Sequence, residues 1–216
     1  MPAADHPPER GVLADVRAAH SFEGAQRVTL LLHGFGSHEH DLVALGPAVG
    51  GAAPWASLRA PLRAGAGAAW FPIATPGNPA REPVESATAA IWAWVDEHVD
   101  QATDIVAVGF SQGGLMATQL LRSRPERVVA TVALGGFVLD APQSGDEALA
   151  AARPPVFWGR GADDLVIAGP AVARTASWLP PRSTLDERVY PGLAHGIHAA
   201  EIADARAFVD AVAPTS

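Results

Sequence analysis

The chain has 216 residues, of which 49% are hydrophobic and 18% are charged, and this balance predicts one globular domain with a sizeable core. It contains no cysteine and all 15 basic residues are arginine, which excludes disulfides, thiolate metal sites, cysteine nucleophiles and Schiff-base lysines. The 23 acidic residues give a net charge of −8, the wrong sign for a protein that binds nucleic acid through a basic face.

The start of the chain and its longest uncharged run bear on targeting. Residues 1–15 lack the apolar stretch of a secretory signal, and residues 1–11 are predicted to be a poorly ordered segment of a single domain spanning residues 1–216. The uncharged run of residues 42–58 is broken by glycine and proline and is shorter than the ~20 residues of a membrane-spanning helix. We therefore expect a cytoplasmic protein without a membrane span. The sequence leaves open whether it forms a homo-oligomer.

Short β-branched runs alternate with longer segments of helical period, which predicts an α/β protein with helices on both faces of a mostly parallel sheet. The predicted strands are residues 12–18, 28–33, 57–60, 105–110, 128–134, 155–159 and 185–190. Their nearly continuous apolar character predicts burial on both faces. The predicted helices are residues 82–99, a segment from Ser111 to about Arg124, and an apolar stripe along residues 202–212. Residues 64–79, rich in glycine and proline, are predicted to form a long surface loop, and such loops often carry function.

Residues 105–114, with the sequence IVAVGFSQGG, predict a buried strand, a sharp turn and the start of a helix. The turn carries Ser111 in the pattern G-x-S-x-G, which is typical of a serine nucleophile in this structural context. Side chains at Gly109 and Gly113 would collide with neighbouring backbone, and the helix start at Gln112 would place N–H donors beside the Ser111 hydroxyl. The alternative is a glycine-rich loop that only closes the strand.

A serine nucleophile needs a histidine base that is oriented by a carboxylate, and in this architecture both follow the serine along the chain. Asp163 and Asp164 follow one predicted strand and His195 follows the next, at the strand ends where α/β sheets bind ligands. His198, at the start of the last helix, is an alternative base. A turn with a helix N-cap accounts for one of the two aspartates, and the pattern leaves open which one.

The segment His33-Gly-Phe-Gly-Ser37 begins at the last residue of a predicted strand. Its glycines allow the backbone to turn its N–H groups toward the serine, so the Phe35 and Gln112 N–H groups are predicted to form the oxyanion hole. His33 is predicted to be structural and to hold this loop by a hydrogen bond.

The run His38-Glu-His-Asp41 is the strongest metal candidate in the sequence. Its spacing departs from the H-x-H-x-D-H zinc pattern, so no metal site is predicted. The predicted serine chemistry also requires no cofactor.

Six motifs together resemble the carboxylesterase/phospholipase family of small α/β-hydrolases, which contains bacterial esterases and acyl-protein thioesterases. They are LLHGFGS at 31–37, EHDL at 39–42, WF at 70–71, GFSQGG at 109–114, GADD at 161–164 and YPGLAH at 190–195. The resemblance implies an α/β-hydrolase fold without a large cap domain, with Ser111 as nucleophile, Asp164 as acid and His195 as base. The chain departs from the family at Leu165 and Ala168, where proline is usual.

The resemblance further implies hydrolysis of carboxylic esters with short-to-medium acyl groups through an acyl-enzyme. Trp70, Phe71, Phe137 and Leu139 are predicted to line the cleft for a small-molecule substrate. Acyl-thioesters and lysophospholipids are alternative substrates for the same three residues. A non-catalytic binding module with this fold is the alternative from outside the enzymes.

Overall fold

The computed structural model describes residues 15–17 and 22–213. Its strands are β1 (Asp15–Arg17), β2 (Arg27–Leu32), β3 (Trp55–Leu58), β4 (Leu62–Ala64), β5 (Gly67–Ala69), β6 (Asp104–Phe110), β7 (Val128–Leu134), β8 (Pro155–Gly161) and β9 (Thr184–Tyr190). Its helices are α1 (Leu45–Gly50), α2 (Arg81–His98), α3 (Gln112–Ser123), α4 (Asp146–Ala152), α5 (Gly169–Trp178) and α6 (Ala199–Val212).

The described strands form a seven-stranded sheet in the order β1-β3-β2-β6-β7-β8-β9, beside the small hairpin β4-β5. β1 runs antiparallel to β3, and the other pairs in the large sheet are parallel. Because parallel strands need crossover helices, both faces are covered. One apolar cluster packs the sheet against α2 and α3, and a second packs it against α1 and α6. The α/β prediction is confirmed.

The strand and helix predictions hold best at the centre of the sheet. Strand β7 coincides with the predicted residues 128–134, and α2 and α3 lie within a residue or two of their predicted bounds. The predicted strand 57–60 was placed about two residues too late, since β3 ends at Leu58. Of the predicted strand 12–18, Asp15–Arg17 forms β1 and the other residues lie outside the described part, as does the predicted N-terminal segment 1–11.

Strand β9 corrects the prediction of burial on both faces. Most of its residues are exposed or half-buried, because among the described strands it is the last of the sheet and has a neighbour on one side only. The charged side chains Asp186, Glu187 and Arg188 lie in it, and charges of this kind protect an edge strand from pairing with other chains.

Three helices and the β4-β5 hairpin were not predicted. Helices α1 and α4 have only 6 and 7 residues, too few to establish a helical period. Helix α5 does carry a start signal, a proline in its first turn at Pro170. The hairpin takes up the beginning of the predicted loop 64–79. None of the described helices is long and apolar enough to cross a membrane.

Candidate active site

Ser111 lies at the turn between β6 and α3, with φ 56° and ψ −115°, a left-handed conformation that few non-glycine residues adopt. The turn is tied to the next strand because the Ser111 N–H donates to the Leu134 carbonyl at 2.8 Å. A Cβ atom on Gly113 would overlap the carbonyl oxygen of Leu32, and one on Gly109 would overlap the carbonyl of Gly113. The predicted need for glycine on both sides of the serine is thus confirmed by the packing.

His195 and Asp164 meet Ser111 from the loops that follow β9 and β8. The His195 Nε2 atom lies 2.8 Å from the Ser111 Oγ atom, and the His195 Nδ1 atom lies 2.7 Å from Asp164 Oδ2. Because a carboxylate only accepts, Nδ1 carries the ring proton and donates it to Asp164. Nε2 is then the acceptor for the Ser111 hydroxyl, which is the arrangement that activates a serine.

The second oxygen of Asp164 fixes the orientation of the carboxylate. Asp164 Oδ1 accepts the backbone N–H groups of Val166 at 2.9 Å and Ile167 at 3.2 Å. Burial by itself raises the pKa of Asp164, but the hydrogen bonds from His195, Ile167 and Val166 more than offset it, so the pKa lies below its ordinary value. Asp164 is therefore ionised at neutral pH and can accept the hydrogen bond from the imidazole.

The two alternatives from the sequence occupy other positions. Asp163 is exposed, and its backbone N–H donates to the Leu193 carbonyl at 3.0 Å, which joins the aspartate loop to the histidine loop. His198 is the N-cap of α6, where its Nδ1 accepts the Glu201 N–H at 3.2 Å. The structure thus brings Asp164 and His195 to the serine, and places Asp163 and His198 in structural contacts.

His33 supports the loop that follows β2. Its Nε2 accepts the Ala60 N–H at 3.1 Å and its Nδ1 donates to the Gly34 carbonyl at 2.7 Å, so the two neighbours select one neutral tautomer. Burial lowers the pKa of His33 and keeps it uncharged. The prediction of a structural role is confirmed.

The two predicted oxyanion-hole residues both line a cavity that also contains Ser111. Gln112 is the first residue of α3, so its N–H has no acceptor within the helix. The Phe35 N–H has no acceptor among the hydrogen bonds of the described residues. The loop approaches the serine closely, since a Cβ on Gly34 would lie 3.5 Å from the Ser111 Cβ. These two N–H groups are available to an oxygen of a bound substrate.

The cavity has a volume of about 650 Å³, within the range of small-molecule sites. Phe71 and Phe137 line it, as predicted. Other apolar side chains of the lining are Phe35, Leu42, Pro72, Ile73, Pro76, Pro79, Phe110, Val166, Ile167 and Ile197. Such a lining suits the hydrocarbon part of a substrate.

Trp70 and Leu139 do not line the cavity, which corrects two predicted substrate contacts. The Trp70 ring is fully buried against His33, and its Nε1 donates to the His33 carbonyl at 2.8 Å. Leu139 is buried in the core, and its carbonyl accepts from Arg122 at 3.1 Å. Both residues therefore support the loops of the site without facing the substrate space.

The side chain of Gln112 has a role that the sequence did not reveal. Its Oε1 accepts the Trp70 N–H at 2.8 Å, and its Nε2 donates to the Phe71 carbonyl at 2.6 Å. The residue after the serine thereby binds the chain segment that supplies Phe71 to the cavity. In the sequence, the signal that could have indicated this role is the position of Gln112 within the GFSQGG motif.

The residues of the metal candidate bind one another and an arginine. Asp41 accepts the Ser37 hydroxyl, and Glu39 forms an ion pair with Arg59 at 2.8 Å. His40 Nε2 lies 3.6 Å from Glu39. Within the described chain, no three histidine, aspartate or glutamate side chains are grouped closely enough to hold a metal ion.

A mostly parallel sheet covered by helices on both faces, with a serine at a strand-to-helix turn, defines the α/β-hydrolase fold. The profile of the Phospholipase/Carboxylesterase family matches residues 17–213. The chain therefore belongs to this family and is a hydrolase.

Individual proteins resemble the chain in sequence or in fold. Acyl-protein thioesterase 1 of Debaryomyces hansenii is 29% identical over 156 residues, which cover 66% of this chain and 66% of that protein. The carboxylesterase of Bacillus cereus has a similar structure, with a TM-score of 0.78 and 21% identity over 93% of this chain and 94% of that one. The carboxylesterase of Mesorhizobium loti gives a TM-score of 0.73 and 21% identity over 90% and 98%.

Proposed function

We propose that the protein is a serine hydrolase that cleaves carboxylic esters with short-to-medium acyl groups through an acyl-enzyme. The observation that carries the proposal is the hydrogen-bonded series Asp164–His195–Ser111, with distances of 2.7 and 2.8 Å, beside an apolar cavity. The strained backbone of Ser111 and the lowered pKa of Asp164 also support it.

The reaction follows from this geometry. As Ser111 Oγ attacks the ester carbonyl carbon, its proton passes to His195 Nε2, and Asp164 stabilises the resulting imidazolium. The negative oxygen of the tetrahedral intermediate accepts from the Phe35 and Gln112 N–H groups. The carbon–oxygen bond to the alcohol then breaks, and the leaving alkoxide takes the proton from Nε2. Water repeats the sequence on the acyl-serine and releases the carboxylic acid.

The nucleophile is tested by covalent labelling and by turnover. A fluorophosphonate probe is expected to label the protein at Ser111, and Ser111→Ala is expected to abolish both labelling and hydrolysis of a p-nitrophenyl ester. Ser177→Ala, at an exposed serine of α5, is the matched control and should leave both unchanged. Full activity in Ser111→Ala would refute the mechanism, and an unreactive Ser111 in folded protein would favour a binding module.

Thioester hydrolysis is the second candidate, because the sequence is similar to an acyl-protein thioesterase. The same serine, histidine and aspartate serve either reaction, so the comparison must be kinetic. We expect kcat/KM for an acyl ester, the matched thioester and a lysophospholipid with the same acyl chain to rank the three substrate classes. A thioester preference of tenfold or more over the matched ester would make this candidate the principal activity.

A further inference from the structure

Residues 71–79, which we call the wall segment, form a large part of the cavity surface. Seven of these nine residues line the cavity, namely Phe71, Pro72, Ile73, Thr75, Pro76, Gly77 and Pro79. The prolines have no N–H to donate, and the segment contains no helix or strand. Its position must therefore be held by contacts with other parts of the protein.

The two ends of the wall segment are anchored differently. At the start, the Phe71 carbonyl accepts from Gln112, as described above. Beyond Phe71, one internal hydrogen bond closes a turn, from the Asn78 N–H to the Thr75 carbonyl at 3.1 Å. Among the described residues, the hydrogen bond that joins residues 72–79 to another part of the chain comes from Arg174, whose Nη2 donates to the Gly77 carbonyl at 2.6 Å.

Arg174 also binds a second part of the cavity. Its Nε donates to the Val138 carbonyl at 3.0 Å, directly after Phe137, which lines the cavity. The neighbouring Thr175 Oγ1 accepts the Val138 N–H, also at 3.0 Å. Burial lowers the pKa of Arg174 and outweighs the opposite effect of Asp140, whose carboxylate lies 3.9 Å away. The guanidinium of Arg174 is thus largely buried, and it donates hydrogen bonds to the carbonyls of Val138 and Gly77.

Gly77 provides a second, independent contact between the wall segment and α5. It has φ +70°, and a Cβ there would lie 2.8 Å from the Cβ of Ala171 and 3.0 Å from that of Ala168. The backbone at Gly77 therefore sits directly on the start of α5, where a larger residue does not fit. Helix α5 is the element against which both the wall segment and the Phe137 loop are fixed.

We propose that Arg174 is a positioning residue for acyl-chain selectivity, because it ties the wall segment to the loop of Phe137 and so keeps the apolar surface of the cavity in place. Arg174 itself neither lines the cavity nor contacts the proposed triad. The inference rests on the proposed ester hydrolysis and specifies its substrates as esters of medium-length acyl chains. Each methylene group buried against a fixed apolar wall improves binding about fourfold, and a wall free to move loses part of that gain.

The test compares p-nitrophenyl acetate with p-nitrophenyl octanoate. In Arg174→Met, which keeps an apolar stem but removes the donors, we expect kcat/KM for the octanoate to fall about tenfold, mainly through KM, equivalent to lost contact with one or two methylene groups. The acetate value should stay within about twofold. Arg182→Met is the matched control, since Arg182 donates to the Trp178 carbonyl at the end of the same helix and does not line the cavity.

A second pair of variants tests the same idea without changing Arg174. Gly77→Ala should lower the octanoate-to-acetate ratio in the same direction, because it displaces the wall segment from α5. Gly24→Ala is the control, since Gly24 has φ +69° and open space where its Cβ would lie. If Arg174→Met does not fold, the octanoate-to-acetate ratio of kcat/KM is measured in Gly77→Ala and in Arg174→Lys, which keeps the charge and one donor group.

Three outcomes would overturn the inference. One is an unchanged chain-length ratio in Arg174→Met and Gly77→Ala. Another is an equal fall for both substrates, which would assign Arg174 to stability alone. The third is an equal change in the Arg182→Met control. Ser111-dependent hydrolysis by the wild type would persist in all three cases, so failure of this inference is distinct from failure of the proposed function.

Discussion

Glu201, in the first turn of α6, carries a fully buried carboxyl group. The residue is 0% exposed, and among the described residues neither carboxyl oxygen has a hydrogen-bond donor. Its Oε1 fills the space beside β8 that a side chain at Gly159 would occupy. Nearby titratable groups are Tyr190, whose hydroxyl donates to Asp204, and His198. A negative charge on Tyr190 or Asp204 would not favour ionisation of the Glu201 carboxyl group. Burial raises the pKa of Glu201 from 4.5 to about 7 and outweighs the opposite effect of the His198 backbone N–H.

This raised pKa makes folding stability depend on pH. Between about pH 4.5 and 7 the unfolded chain has lost the Glu201 proton while the folded chain retains it, so the free energy of unfolding falls as the pH rises. The folded and unfolded pKa values differ by about 2.5, and each pKa unit corresponds to about 1.4 kcal/mol. The free energy of unfolding is therefore lower by about 3 kcal/mol at and above pH 8. Below pH 4.5 both states are protonated and the penalty disappears.

Glu201→Gln removes the ionisation and keeps the shape of the side chain. The buried amide N–H groups cost about 1–3 kcal/mol at every pH, so the informative quantity is the change with pH. We expect the difference in unfolding free energy, variant minus wild type, to rise by about 2–3 kcal/mol from pH 5 to pH 8.5 in urea titrations. Glu97→Gln, at an exposed glutamate of α2, should show a nearly constant difference. A constant difference for Glu201→Gln as well would refute the assignment of a buried, neutral carboxyl group.

Two further substitutions test the site and its framework. Asp164→Asn is expected to lower kcat for p-nitrophenyl butyrate by about 10³–10⁴, because an amide cannot hold the imidazole in the accepting tautomer. The control is Asp163→Asn, at the exposed neighbouring aspartate, which should change kcat less than twofold. Equal losses in kcat in both variants would contradict the proposal that Asp164 is the acid. Gly113→Ala should lower the unfolding free energy by about 3 kcal/mol in urea titrations, because the new Cβ would overlap the Leu32 carbonyl. The control is Gly169→Ala, which has open space at its Cβ and should leave the unfolding free energy nearly unchanged. A stable Gly113→Ala protein would show that the turn is looser than the packing indicates.

The sequence was most informative where local and tertiary requirements coincide. The strand, turn and helix around Ser111 are encoded by one apolar run and by glycines whose missing side chains make room for neighbouring backbone, so ten adjacent residues predict them. The residues favoured His195 over His198 as the base from its place on a loop after a strand, but left open which aspartate joins it, and only the resemblance to a known family favoured Asp164. The fold separates the alternatives because the Asp163 side chain is exposed to solvent and His198 caps α6.

What the sequence alone determined is therefore the fold class, the turn that carries Ser111 and a short choice of neighbours for this serine, because these depend on hydrophobic period and on backbone freedom within a few residues. The tertiary structure decided which side chains face the cavity. Trp70 and Phe71 are adjacent and both aromatic, yet only Phe71 lines it, since a hydrogen bond to His33 directs the other into the core. Only the tertiary structure brought Arg174 to Gly77, 97 residues away along the chain. A contact between such distant residues depends on how the sheet orders its strands and leaves no periodic trace in the sequence.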